Sequence, residues 1–254
     1  MSHNLPHLHP AFLSRLSIAP GKSERLVCAF SSRASGNMSL FYGDTEDALE
    51  NRRTFLKDLG IDYRDLVCAQ QVHGSKARYI QEADKGKGAL SYDTAIPDTD
   101  ALITNKHSLP LAVFTADCPS VFIYDPRRPA IGLVHAGWRS TQERIIEKTV
   151  KLMQEKFNSQ AKDLSVSFGP AIGSCCYIVG EDFSDFFPAD LIKRNNRYYL
   201  DLVRINKRQL LNLRVKDKNI LDPQICTSCR NEDFFSYRKE GKACGRMMSV
   251  IMLR

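Results

Sequence analysis

The sequence predicts an α+β fold in which layered sheets form the centre and helices pack on the outside. Short apolar runs of β-prone residues recur along the chain, and helical patterns occur between some of them. The two patterns do not alternate strictly, as they would in a doubly wound parallel sheet. A hydrophobic fraction of 43% in 254 residues is ample for a globular core.

We expect residues 1–22 to form an N-terminal arm and residues 23–254 to form a single domain. The arm contains three histidines (His3, His7 and His9) and lacks the apolar segment of a secretory signal. No run reaches the ~20 apolar residues that a membrane-spanning helix needs. Eight cysteines at irregular spacing, without a secretory signal, favour reduced thiols. The sequence therefore predicts a cytoplasmic protein that does not enter a membrane.

The first elements follow from local signals. Residues 25–30 form an apolar run that predicts a strand. A helix begins at Asp44 or Thr45, because either side chain can cap its first turn, and Gly60 ends it just after Leu59.

The middle of the chain is rich in β-prone runs. Residues 66–72 predict a strand that ends at His73, and the polar segment 84–97, rich in Gly and Asp, predicts a mobile loop or lid. Further apolar runs predict strands over residues 101–104, 111–115, 121–124 and 131–134.

A long helix follows, and Ser140 and Glu143 have the spacing of a capping box at its start. Its apolar residues recur at helical spacing, so one face packs on a sheet. Residues 164–168 begin a second stretch of strands and helices. The apolar run 247–253 predicts a buried final strand.

Three residues at strand ends indicate a metal site. His73, Cys118 and His135 each follow an apolar run and precede a turn with Gly or Pro. Two imidazoles and one thiolate suit zinc, and three protein ligands leave a fourth position free, as in catalytic sites. The alternative is that each is an ordinary core or surface residue, because sequence does not show that distant residues meet.

Two neighbours of these residues are further candidates. Asp117 precedes Cys118, and it either orients a ligand histidine, acts as a general acid or base, or bonds backbone amides in its turn. Arg139 lies at the predicted start of the long helix, where it favours an anion site. The alternative for Arg139 is a surface ion pair.

The remaining cysteine motifs carry less information. Cys226 and Cys229 form one C-x-x-C, and no second pair follows at zinc-ribbon spacing. This pattern favours a structural or incidental role. Cys175 and Cys176 are adjacent in a glycine-containing segment, which predicts a tight turn near the site.

The charge of the chain favours an anionic ligand. The formal net charge is +7, which attracts phosphorylated molecules. Basic residues are scattered and no basic block alternates with aromatic residues, so a nucleic-acid partner is disfavoured. A basic nucleic-acid-binding module is kept as the non-enzyme alternative.

Several motifs together resemble the YfiH/laccase-domain family. They extend from about residue 30 to the C-terminus, and their order and combination are highly specific. The motifs are QVHG (71–74), DALIT (100–104), TADC (115–118), HAGWR (135–139), GPAIG (169–173), CT (226–227), FSYR (235–238) and GR (245–246).

The resemblance implies a single α+β domain with an internally duplicated α/β/β/α architecture, similar to the catalytic fold of cytotoxic necrotizing factor. It also implies that His73, Cys118 and His135 match the metal ligands of the family. The sequence departs from the family pattern at residues 34–37, where the family has Gly-Gly-Val-Ser, at Ile178, where it has Glu, and at Cys244, where it has Thr.

Proteins of this family have been called purine nucleoside phosphorylases with adenosine deaminase activity, polyphenol oxidases and peptidoglycan-editing factors. We expect a zinc-dependent phosphorylase of adenosine, inosine and methylthioadenosine, with adenosine deaminase as a side activity. Its small-molecule partners are then a nucleoside and phosphate, whereas the sequence predicts no oligomeric state. The alternatives are an amide hydrolase acting on peptidoglycan precursors and a copper-dependent polyphenol oxidase. The oxidase is disfavoured because multicopper sites use mostly histidine ligands and the chain has only six histidines.

The predicted site residues fall into three groups. The catalytic group is Cys118, His73, His135 and Asp117, of which the first three are the metal ligands. The substrate or phosphate contacts are Arg33, Arg139 and Gln71. The metal is zinc, with copper as the alternative.

Overall fold

The computed structural model describes residues 26–254, and the predicted arm of residues 1–22 lies outside them. The described strands are β1 (Leu26–Phe30), β2 (Val67–Cys68), β3 (Ala77–Tyr79), β4 (Ala101–Thr104), β5 (Leu111–Thr115), β6 (Ser120–Asp125), β7 (Ala130–His135), β8 (Ser165–Phe168), β9 (Ile178–Val179), β10 (Ile192–Arg194), β11 (Arg197–Tyr199), β12 (Ile220–Leu221) and β13 (Met247–Leu253). The α-helices are α1 (Thr45–Lys57), α2 (Trp138–Gln142), α3 (Ile145–Phe157), α4 (Leu202–Asn212) and α5 (Tyr237–Glu240).

Two mixed sheets form the centre of the fold. One has four strands in the order β1-β13-β5-β2, and the other has six in the order β12-β8-β6-β7-β4-β3. Parallel pairs (β2 with β5, β3 with β4, β8 with β12) occur beside antiparallel ones. A small three-stranded sheet, β10-β11-β9, is not hydrogen-bonded to either of them. The predicted α+β class is confirmed.

The alternation of side chains along β6 shows how the layers stack. Val121 and Ile123 belong to a buried cluster with α3, whereas Phe122 and Tyr124 belong to a cluster shared with the four-stranded sheet. Successive strand residues point to opposite faces, so each face packs against a different layer. With α1 packed on the outer face of the four-stranded sheet, the order is α/β/β/α. Internal duplication stays a prediction.

The C-terminal strand β13 is apolar on both faces, because each face packs against a different layer. Met248 and Val250 pack with Leu56 of α1, and Ile251 and Leu253 face the core between the sheets. It lies between β1 and β5 in its sheet, so water reaches neither face nor edge. A continuous apolar run is the expected pattern for such a strand.

The predicted capping box at the long helix is wrong. Ser140 lies inside the short helix α2, and α3 begins only after Arg144, which adopts a left-handed conformation with φ of 63°. This residue breaks the helix into two, so Glu143 does not lie in a first helical turn. The apolar face of α3 packs on the six-stranded sheet as predicted.

The segment that follows β2 differs from the prediction. Only Val67–Cys68 is strand, and an isolated bridge at Ala69 continues it. Part of the predicted mobile loop 84–97 is core, because Ala89 and Ala95 are buried against α1 and the four-stranded sheet. No helix within residues 26–254 combines the length and the apolar character that crossing a bilayer requires.

Candidate metal centre and its cavity

The three predicted metal ligands meet at one end of the two sheets. His73 lies in the turn after β2, Cys118 lies between β5 and β6, and His135 is the last residue of β7. Their donor atoms all lie within 4.8 Å of one another. The two imidazole rings meet edge to face, with centroids 4.7 Å apart. Since β5 and β6 belong to different sheets, the cluster lies where the chain crosses between them.

The backbone at this crossing is strained. His73 and Asp117 adopt positive φ values of 59° and 89°. A residue with a Cβ rarely does so, because this region costs about 1–3 kcal/mol. Such strain is typical of functional sites, where neighbouring contacts hold a side chain in one orientation.

Asp100, which is fully buried, fixes two of the three ligands. Its Oδ1 accepts hydrogen bonds from Nδ1 of His135 at 2.8 Å and from the backbone N–H of His73 at 3.0 Å. Its Oδ2 accepts from the backbone N–H groups of Gly74 at 2.8 Å and Val72 at 3.2 Å. Because Nδ1 of His135 donates to the carboxylate, the other ring nitrogen is the one free to bind a metal.

The charges of the cluster shift the pKa values of two ligands. Burial raises the pKa of Cys118, but His135 and His73 outweigh it and lower that pKa to about 6. Burial lowers the pKa of His135, but Cys118 and Asp100 outweigh it and raise that pKa to about 9. Both shifts favour a thiolate beside an imidazolium, and a divalent cation would take the place of the imidazolium proton.

Gly137 lets α2 begin directly against the cluster. A Cβ built at this position would lie 2.9 Å from Cδ2 of His73 and 3.4 Å from Sγ of Cys118. The first distance is too short for two carbon atoms, so a side chain here would displace His73. The glycine of the HAGWR motif is thus explained by close approach to the ligands.

A cavity of about 580 Å³ opens beside the three ligands. This volume suits a ligand the size of a nucleoside. Its lining is rich in aromatic side chains, which offer flat apolar surfaces to a heterocyclic ring. The aromatic lining residues are Phe41, Tyr42, Tyr92, Phe114, Trp138, Tyr177 and Tyr237.

The cavity is positively charged. Four arginines line the cavity (Arg52, Arg139, Arg238 and Arg246). Among the described lining residues, Asp117 is the one with a carboxylate. Within residues 26–254, the last three arginines form no ion pair with a carboxylate. Their charges are therefore available to an anion.

Each of these three guanidinium groups stacks on an aromatic ring, which holds it without neutralising it. The distances from Cζ to the ring centroid are 4.4 Å for Arg139 on Trp138, 5.1 Å for Arg238 on Tyr177 and 3.9 Å for Arg246 on Tyr42.

Gln71 and Asp117 line the cavity, but their polar atoms are engaged by the protein. The Gln71 amide donates to the carbonyl of Phe114 at 2.8 Å and accepts from the N–H of the same residue at 2.7 Å. The Asp117 carboxylate accepts from the Thr227 hydroxyl at 2.6 Å and from the N–H of Arg238 at 2.7 Å. Asp117 bonds neither a ligand histidine nor a backbone amide of its own turn, because both of its partners lie more than 100 residues away in the chain. Its role as a general acid or base stays a prediction.

The structure separates the two predicted phosphate contacts. Arg139 lines the cavity, whereas Arg33 is not among the lining residues. The guanidinium of Arg33 donates to Glu240 at 2.5 Å and to the backbone carbonyls of Asn231 and Phe234. The phosphate-binding role of Arg33 stays a prediction.

Sequence reasoning missed Asp100 as the carboxylate that orients the ligands, and it missed Arg238 and Arg246 as cavity cations. All three lie in the DALIT, FSYR and GR motifs that carried the resemblance. The motifs were therefore the available signal. Assigning a role to each residue needed the contacts.

Replacing Asp100 with asparagine is expected to weaken metal binding by about 10–100-fold, because the partner of a metal-ligating histidine tunes its orientation and basicity. In the wild type, three backbone N–H groups donate to the Asp100 carboxylate. In the variant, the amide nitrogen of asparagine is itself a donor and cannot accept from them. Competition with a chromophoric chelator measures the affinity. Asp98→Asn, at an exposed carboxylate nearby in the chain, is the control, and equal affinities in the two variants would contradict the role of Asp100.

Comparison with known proteins gives matches over nearly the whole chain. Residues 23–254 match the family described as "Multi-copper polyphenol oxidoreductase laccase". A relative from Geobacillus stearothermophilus, named "Purine nucleoside phosphorylase YlmD", is 36% identical over 86% of this chain and 83% of its own length. A protein of an unknown prokaryotic organism, named "Adenosine deaminase RL5", is 29% identical over 85% of this chain and 86% of its own length.

A solved structure gives the same result for the fold. The crystal structure of the hypothetical protein YfiH from Bacillus licheniformis superposes with a TM-score of 0.86 and 32% identity. The match covers 90% of this chain and 93% of that one. The resemblance stated from the motifs is confirmed.

Proposed function

The chain belongs to the family described as multi-copper polyphenol oxidoreductase laccase, and from its site we propose that it is a zinc-dependent purine nucleoside phosphorylase. The observation that carries the proposal is the junction of three metal donors with an aromatic cavity that holds arginines without acidic partners. The names of its relatives support an enzyme acting on purine nucleosides. We also propose a cytoplasmic location.

The donor set fits zinc. Two imidazoles and a thiolate are ligands that zinc accepts, and the neighbouring histidines lower the pKa of Cys118, which favours its thiolate form. A zinc ion bound there supplies Lewis-acid chemistry at the wall of the cavity.

The residues of the cavity can divide the work of phosphorolysis. Phosphate is a mixture of monoanion and dianion near neutral pH, and Arg139, Arg238 and Arg246 can hold it beside the ligands. A phosphate oxygen then forms a bond to C1′ of the ribose, the bond from C1′ to the purine nitrogen breaks, and the base leaves with that electron pair and takes up a proton. The same cations stabilise negative charge as it shifts during bond exchange.

The aromatic lining can bind the base. Phe41 and Tyr42 meet edge to face at 4.9 Å between centroids, and Tyr92 lies 4.8 Å from Phe41. A purine ring stacking on such surfaces gains about 1–3 kcal/mol, as bases do in nucleic-acid sites. Burial raises the pKa of Tyr177, so its hydroxyl stays protonated and can donate a hydrogen bond.

Adenosine deamination is proposed as a side activity, since one relative carries that name. The reaction needs water as the nucleophile and a group that carries protons to the leaving ammonia. No glutamate lines the cavity among the described residues. Asp117 would have to serve, and its two existing hydrogen bonds favour a rate below that of phosphorolysis.

The alternatives fit the site less well. A multicopper oxidase needs several copper ions with mostly histidine ligands. Of the three histidines in residues 26–254, His107 lies away from the cluster, with its ring on the carbonyl of Arg254. An amide hydrolase with Cys118 as nucleophile requires a thiol that alkylating reagents modify in the metal-loaded protein.

The test of the proposal is release of hypoxanthine from inosine with and without inorganic phosphate. Phosphorolysis predicts release that depends on phosphate and yields ribose 1-phosphate in equal amount. Arg139→Met is expected to raise KM for phosphate by about tenfold or more, since a hydrogen bond to a charged group contributes roughly 1.5–3 kcal/mol. Release that is independent of phosphate would overturn the proposal.

Arg78→Met is the matched control for Arg139→Met. Arg78 is an exposed arginine on β3 and does not line the cavity. Its loss lowers the net charge by the same amount, so the control separates a contact from a general field effect. Equal values of KM for phosphate in the two variants would contradict a contact at Arg139.

A further inference from the structure

Four cysteines outside the cavity come together in the fold. The donor sulfurs of Cys175, Cys176, Cys226 and Cys229 all lie within 4.8 Å of one another. Cys229 lies 3.5 Å from Cys175 and 3.4 Å from Cys176, measured between sulfurs. The adjacent pair and the C-x-x-C pair, which the sequence keeps about 50 residues apart, therefore form one tetrathiol cluster.

We propose that this cluster is a second metal site, a closed four-thiolate site that binds one zinc ion. Four cysteines form the ligand set of structural zinc sites, with no position left for water. Sulfur-only ligands also select soft or borderline ions over magnesium or calcium.

The sulfur distances fit a single ion. Tetrahedral zinc with Zn–S bonds of about 2.3 Å places its sulfurs ~3.8 Å apart, close to the 3.4–3.5 Å separations at Cys229. A disulfide needs sulfurs at about 2.05 Å, and all four cysteines are free thiols. A cluster of several irons would hold its cysteines farther apart, because sulfides and further irons lie between them.

The backbone around the sulfurs also suits a thiolate site. The N–H of Gly173 donates to Sγ of Cys226 at 3.3 Å, and such amide donors stabilise sulfur that carries negative charge. Zinc with four thiolates has a net charge of 2−. Arg194 donates to the carbonyl of Ser174, beside Cys175, so a cation already lies next to the cluster.

The two segments that the ion would join are already linked by backbone hydrogen bonds, from the N–H of Ala171 to the carbonyl of Ile225 and from the N–H of Thr227 to the carbonyl of Ala171. An isolated bridge pairs Ala171 with Cys226, and residues 222–236 contain neither helix nor strand. A segment of this length without regular structure is ordered further by each additional link to the rest of the fold. Metal ligation across more than 50 residues of chain supplies such a link, as in small zinc-stabilised domains.

An ion bound to the four cysteines would also affect the cavity, because residues next to two of the cysteines line it or bond a lining residue. Tyr177, which directly follows Cys176, lines the cavity. Thr227, which directly follows Cys226, donates to Asp117 at 2.6 Å. The ion would thus position two walls of the cavity from outside it.

The experiment is metal analysis of the full-length protein purified under reducing conditions with zinc supplied. We expect two zinc equivalents in the wild type and one in Cys226→Ser, with the remaining ion lost on further change of His73 to alanine. Cys28→Ala, at a buried cysteine of β1, is the matched control and keeps both ions. A wild type and a Cys226→Ser variant with the same metal content would overturn the proposal.

Cobalt substitution of the wild type gives a second readout that needs no variant to fold. Four thiolates around Co²⁺ produce intense sulfur-to-metal charge-transfer bands in the near ultraviolet. The single thiolate of the His73 site does not produce bands of that intensity. A disulfide among the four cysteines in protein kept reduced, or iron in place of zinc, would overturn the assignment. The two substitutions remove the ion of the cysteine site and the ion of the His73 site independently. A result against one metal site therefore leaves the proposal for the other unaffected.

Discussion

Replacing Cys118 with alanine is expected to lower kcat/KM for phosphate-dependent cleavage of inosine by about a thousandfold. The change removes the only anionic ligand among His73, Cys118 and His135, whose donor atoms lie within 4.8 Å of one another. Metal polarisation of a reacting oxygen contributes several kcal/mol, and about 4 kcal/mol corresponds to a factor of about 10³ in rate. Steady-state kinetics with metal analysis of the same preparation measures both effects.

Cys28→Ala is the control for this substitution, since it removes a cysteine of β1 that does not line the cavity. Its activity and metal content are expected to match those of the wild type. A Cys118→Ala variant that retains wild-type kcat/KM would show that the cluster has no part in the reaction. A variant that loses activity but keeps its full metal content would instead favour Cys118 as a nucleophile.

Replacing Arg52 with methionine is expected to lower the free energy of unfolding by about 3 kcal/mol. Arg52 lies on α1 and is 1% exposed. Its guanidinium donates to the carbonyls of Met38, Gly88 and Ala89 at 2.8–3.1 Å. Methionine fills similar space but leaves three carbonyls without a partner, at a cost of roughly 1 kcal/mol each. Urea unfolding measures the difference.

Arg53→Met is the matched control on the same helix. Arg53 is exposed, and its ion pair with Glu50 spans 3.5 Å, so a change within about 0.5 kcal/mol is expected. Equal destabilisation by the two substitutions would contradict the role assigned to Arg52. Because Arg52 holds the backbone at Gly88, a residue of the cavity lining, we also expect its loss to raise KM for the nucleoside.

The central strands were predictable because their apolar runs end where the strands end. The predicted runs 101–104 and 111–115 coincide with β4 and β5, and 121–124 lies within β6. The expectation that His73, Cys118 and His135 meet came from placing each at a strand end. In the structure only His135 ends a strand, whereas the other two lie in turns. Burial on both faces, which is what these strands have, makes such runs easy to recognise.

The rest depended on contacts between distant residues or on backbone conformations without a sequence signal. Asp100 binds groups 26–35 positions away in the chain, and its own segment looks like an ordinary strand start. Arg144 breaks a helix in a left-handed conformation that favours glycine or asparagine, so the pattern gave no warning. The cysteine pairs were each weak signals, and only the fold brought them together.

Because the proposed metal ligands come from both central sheets, binding of an ion would be coupled to global unfolding in one thermodynamic cycle. His73 follows a strand of one sheet and His135 ends a strand of the other, so separating the sheets destroys the chelate. A ligand that binds only the folded chain raises its unfolding free energy by about 2.7 kcal/mol at a hundredfold excess over Kd. Chelating buffers are therefore expected to lower the free energy of unfolding of the entire chain as well as its activity.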